Sequence, residues 1–87
     1  MSKKEMYRRY MLFIGVFGQM VYYAQAYKIF TTHETAGVSL FGFTIGLIAA
    51  ISWFLYGVII RDFPLYLANF VATIGAAAAV AGILIYG

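Results

Sequence analysis

Three stretches of this chain run almost without charge, separated by short polar breaks. Val38 to Ile60 is twenty-three residues with no charged side chain, and Phe63 to Tyr86 is twenty-four. Tyr10 to Tyr27 is eighteen, interrupted by Gln19 and Gln25. At ~1.5 Å per residue the Val38 stretch spans about 34 Å as a helix, against a hydrocarbon core of roughly 30 Å. Backbone groups in lipid must be satisfied within their own segment, so the pattern predicts helices. The expected architecture is an all-α membrane protein, one domain over residues 1–87. Helix 1 is expected over about 10–30, helix 2 over about 38–60 and helix 3 over about 63–86. The connection "TTHETAGVS" reads as a polar loop containing Gly37. The second connection is very short, with Asp62 placed to cap helix 3 and Pro64 suited to its first turn. Helices 2 and 3 should therefore form a tight antiparallel hairpin.

Composition supports the same reading. The 87 residues are 64% hydrophobic and 10% charged, whereas a soluble domain of this size needs charge on its surface. The net charge of +3 comes mostly from Lys3, Lys4, Arg8 and Arg9. A basic cluster beside an apolar segment reads as membrane-flanking, not as a nucleic-acid footprint. The first segment lacks a convincing small-residue cleavage site, and its glutamines and tyrosines do not suit a signal peptide. Cysteine is absent and His33 stands alone in a loop, so no metal site is expected. With no nucleophile–base pair either, the sequence predicts neither an enzyme nor a cofactor. No Asp, Glu, His or Lys lies inside helices 2 and 3, which argues against a proton-coupled exporter.

The polar residues inside the apolar stretches carry the candidate chemistry. Trp53 lies seven residues before Ile60, and Asn69 six after Phe63. Both therefore fall ~10 Å from the same membrane face. An indole face packs on the apolar side of a pyranose, and a carboxamide matches hydroxyls as donor and acceptor. The competing reading of Asn69 is an interhelical hydrogen bond. Gly42, Gly46, Ala49, Trp53 and Gly57 share one face of helix 2. Gly15, Gly18, Gln19, Tyr22 and Gln25 share one of helix 1. Such faces suit close helix packing, a hollow lined by polar groups, or both.

From Gln19 through Tyr86 the chain resembles the SemiSWEET half-transporters of the PQ-loop superfamily. The most specific part is "SWFLYGVIIRDFPLYLANF", similar to the family's W-x-x-Y-G, D-x-P and A-N pattern. "YAQAYKIFTTHETAGVS" is similar to its PQ-loop segment and the G-[IV]-S that opens helix 2. The resemblance implies a sugar transporter that assembles as a parallel homodimer in the bilayer. It implies downhill movement of a mono- or disaccharide by alternating access, across the cell (inner or plasma) membrane. Trp53 and Asn69 would contact sugar; Tyr56 and Asp62, with Arg61, would form the extracytoplasmic gate; Gln25, the glutamine of the proline–glutamine pair, would also be a gate residue. Two departures stand out. Ala24 replaces the usual proline, removing that hinge, and Gly42 and Gly46 stand where bulky inner-gate residues are common. The resemblance puts the amino end outside, whereas the positive-inside rule puts Lys3, Lys4, Arg8 and Arg9 in the cytoplasm. Three short helices with a basic end also suit a pore-forming lysis protein or a non-transporting accessory subunit.

Overall fold

Polar side chains at the segment boundaries set where the helices begin. Ser2 accepts from the Glu5 backbone N–H at 3.1 Å, Ser39 from Gly42 at 2.9 Å, and the Asp62 carboxylate from Leu65 at 3.3 Å. Each satisfies an amide that the helix itself leaves without a partner. In the computed structural model, which describes residues 2–87, four helices follow: α1 (Lys3–Gly18), α2 (Met20–Thr32), α3 (Leu40–Ile59) and α4 (Phe63–Tyr86). The described residues include no strand. Helices α3 and α4 have mean hydropathies of 1.9 and 2.0 over membrane-spanning lengths.

Helix 1, expected as one element over about 10–30, differs in two ways. It starts at Lys3, because the Ser2 cap draws the basic residues into the helix instead of leaving them as a flank. It also divides at Gln19. There the Gln19 N–H donates to Val16 and the Tyr22 N–H to Gln19, both three residues back, at 3.2 and 3.1 Å. The preceding Gly18 has no side chain to stiffen the turn and nothing within 4 Å of where a Cβ would sit. Ala24, in the proline position of the resembled motif, lies in the interior of α2.

Helix α4 is the centre of the bundle. It packs against α1, α2 and α3, whereas the α3 backbone stays apart from those of α1 and α2. Its small residues make this possible: Ala68, Ala72, Gly75, Ala76, Ala79 and Gly82 are all buried. A Cβ at Gly75 would lie 2.7 Å from Tyr22 Cβ, and one at Gly82 2.7 Å from Ile29 Cγ2. Across the hairpin, a Cβ at Gly57 would lie 2.8 Å from the Tyr66 backbone nitrogen. Lipid supplies no hydrophobic drive between helices, so such close van der Waals approach is what holds them. Ala26 and Ile29 of α2 meet Ala79 and Ile83 of α4 in the buried core. One directed bond joins these helices: the Tyr23 hydroxyl donates to the Val71 carbonyl at 2.8 Å. At the far end His33, left-handed at φ 57°, stacks on Tyr86 with ring centres 4.1 Å apart.

The backbone approach at Gly57 generates a test. Gly57→Ala forces a methyl into Tyr66 and should cost about 1–3 kcal/mol, read as a lower melting temperature in detergent. Gly18→Ala meets open space and should leave stability unchanged or raise it by up to ~1 kcal/mol.

Candidate functional site

The hairpin turn shows how α3 and α4 are set against each other. The Asp62 N–H donates to Gly57 and the Arg61 N–H to Val58, at 2.9 and 3.2 Å. These two bonds close the end of α3 in a Schellman turn. The turn needs a left-handed residue, and Arg61 fills that place at φ 57°. Glycine is the usual occupant, because other residues pay roughly 1–2 kcal/mol there. Asp62 then caps α4, with Pro64 in the first turn.

From this turn α3 presents Trp53 and Tyr56 on one face. Their rings meet edge-on, centres 5.8 Å apart at 80°. Both are about half exposed, Trp53 at 52% and Tyr56 at 50%. With Ser52 they line an open hollow of about 330 Å³. Ser52 is a residue that sequence reasoning passed over, since a serine beside a tryptophan carries no periodic signal of its own. Its hydroxyl donates to the Ile48 carbonyl at 2.8 Å.

Asn69 stands on α4, half-buried. Tyr66 and Phe70 turn toward Phe54 of α3, and Ala68 and Gly75 turn toward α1 and α2. At ~100° per residue Asn69 falls between these two contact faces. Its Nδ2 donates to the Leu65 carbonyl, one turn back on its own helix, at 2.9 Å. Among the described residues it makes no hydrogen bond to another helix, so the protomer contains no interhelical bond for it. Thr73 donates to the Asn69 backbone carbonyl at 2.7 Å. Asn69 does not line the Trp53 hollow, which belongs to α3 alone.

The glycines of α3 separate into two kinds. Gly57 is locked against α4, but Gly42 is exposed, and a Cβ there would meet only its own cap, Ser39. A Cβ at Gly46 would meet the Tyr22 hydroxyl at 3.2 Å. The Tyr22 ring also sits edge-on to Phe43, centres 5.8 Å apart, and so reaches across to α3. Gln19 and Gln25 are half-buried, Gln19 at the break between α1 and α2.

Known proteins share this fold. The profile of a family described as sugar efflux transporters for intercellular exchange matches residues 10–87. A crystal structure of a bacterial homologue of SWEET transporters superimposes with a TM-score of 0.86 at 29% identity, covering 94% of this chain and 99% of that one. A search of curated protein sequences finds no match.

The local bonding of Asn69 predicts that its amide contributes little to folding. Asn69→Ala removes only a bond back to its own helix, whose net effect is near neutral. Its unfolding free energy should fall by less than ~1 kcal/mol, measured by thermal denaturation of the purified protein.

Proposed function

The chain belongs to the SWEET family of sugar transporters, and on that premise we propose that it moves a mono- or disaccharide downhill by alternating access, as a parallel homodimer. One observation carries the site assignment. A half-buried amide, Asn69, has no partner on another helix, and it lies one helix away from two exposed aromatic rings, Trp53 and Tyr56. Tryptophan exposed on one helix and a carboxamide on the next are the two groups a pyranose asks for: an apolar plate and a hydroxyl partner. The protomer measures 48 × 22 × 15 Å and is too thin to surround a solute. A twofold partner would bring a second Trp53 and a second Asn69 to a cavity formed between the two protomers, a closed isologous assembly.

The outer gate is assigned to Tyr56, Arg61 and Asp62, all at the hairpin end. Arg61 holds a backbone conformation that glycine would adopt more cheaply, which fits retention for its side chain. The inner end is assigned to Gly42 and Gly46, with Tyr22 as the bulk that closes on them, and Gln25 one turn further along α2. The pivot is assigned to Gly18–Gln19, where the helical ladder is already interrupted. The protein is placed in the cell (inner or plasma) membrane as a multi-pass protein.

Uptake of radiolabelled sugar into proteoliposomes holding only this chain tests the reading. Asn69→Ala should abolish uptake while keeping its melting temperature, because sugar hydroxyls left unpaired cost roughly 1–3 kcal/mol each and the twofold repeats the loss. Trp53→Phe should be milder than Trp53→Ala, and Ile59→Ala on the exposed face should do little. Uptake surviving in Asn69→Ala would move the site to Gln19, Tyr22 and Gln25.

The same vesicles test coupling and assembly. No Asp, Glu, His or Lys lies within α3 or α4, so an imposed proton gradient should leave the final sugar level at the external concentration. Native mass spectrometry of the reconstituted protein should show two chains. Accumulation driven by acid outside, or transport by a strict monomer, would contradict the mechanism.

A further inference from the structure

The hollow beside Trp53 is not the largest on the molecule. A groove of about 550 Å³ lies between the first turns of α1 and the start of α4. That is within the roughly 300–1,000 Å³ typical of small-molecule sites. Lys4 and Arg8, one turn apart on α1, stand on one side, and Asp62 on the other. Met11, Leu65 and Ala68 supply an apolar floor. The groove ends where α1 closes on α4 at Gly15, whose Cβ would lie 3.0 Å from Ala68 Cβ. Helix stability does not ask for cations here, because Lys4 stands in the first turn of α1, at the positive end of the helix dipole. Asp62 belongs to the turn between two membrane-spanning helices, at the level where lipid headgroups meet water.

We propose that this groove binds a phospholipid whose headgroup ends in a primary amine, of the phosphatidylethanolamine type. Lys4 and Arg8 would take the phosphate through charge-assisted hydrogen bonds. One Asp62 oxygen accepts from the Leu65 N–H, and the other is directed to the lipid ammonium. The acyl chains would lie over Met11, Leu65 and Ala68 toward the bilayer. Both charge signs in one groove select this headgroup. A purely anionic lipid matches the cations but meets the Asp62 carboxylate with like charge. The quaternary ammonium of phosphatidylcholine has no N–H to donate.

Native mass spectrometry of the whole protein tests this without reading transport. Phosphatidylethanolamine, phosphatidylglycerol and phosphatidylcholine with identical chains are added in equal amounts to the protein in mild detergent. Phosphatidylethanolamine should be retained about tenfold over phosphatidylcholine, and above phosphatidylglycerol, up to one per chain. Lys4→Gln with Arg8→Gln should remove about tenfold of that retention, whereas Lys3→Gln with Arg9→Gln, outside the groove, should not. Asp62→Asn keeps an oxygen for the α4 cap and should erase the preference over phosphatidylglycerol. Equal retention of the amine and choline lipids would overturn the proposal. So would equal losses in the two double variants, or an unchanged lipid order in Asp62→Asn. Competition by free phosphoethanolamine as strong as by the lipid would also overturn it, by making the occupant a soluble zwitterion.

Discussion

Close approach to α4 is the interaction on which the rest of this structure depends. Between apolar helices in lipid, water gains nothing from their contact, and only distance can make their attraction large. The alanines and glycines of α4 bring the axes near enough for many weak contacts to act together. Because both flanks of α4 are built this way, α1 and α2 settle on one side and α3 on the other. The α3 face that carries Trp53 then has no helix over it. A leucine-rich α4 would push the neighbouring helices away and remove the packing.

Small residues on α3 are therefore not interchangeable. Gly57 admits the backbone of α4, while Gly46 leaves space that the tip of Tyr22 approaches and Gly42 meets only its own cap, Ser39. The same residue type on one helical face thus packs tightly against a neighbour at one end and leaves open space at the other. Tyr23 contributes to the same division. Its hydroxyl ties α2 to α4 at the Val71 carbonyl.

Much of this was legible in the residues. The charge-free runs marked the elements of the hairpin, and Asp62 with Pro64 marked its turn. Counting residues from that turn is also what leads to the expectation of an aromatic and an amide at one depth. What sequence could not give was how the small-residue faces are paired. Spacing placed Gly42 and Gly57 on one face, yet only Gly57, at the hairpin end, comes against the Tyr66 backbone. The break at Gln19 was hidden for a similar reason. Gly18 is one of several glycines in helical pattern, and its loss of ladder bonds depends on α1 docking at Ala68 while α2 docks at Gly75. Arg61 gave no warning either, because glycine is the expected signal for a left-handed helix end. The bond of Asn69 back to Leu65 left no trace in the sequence pattern.

The position of the break also sets a mechanical ratio. From Gln19 to His33 the rigid arm is fourteen residues, about 21 Å, whereas a pivot at Ala24 would leave nine residues, about 14 Å. For the same angular swing, the end of α2 that carries Phe30 and His33 travels half as far again. The arm on the other side, from Lys3, shortens from twenty-one residues to sixteen, about 32 to 24 Å, so the basic end of α1 would sweep about a quarter less. A lever so divided would give strokes of similar length to the end clasped by Tyr86 and the end beside Asp62.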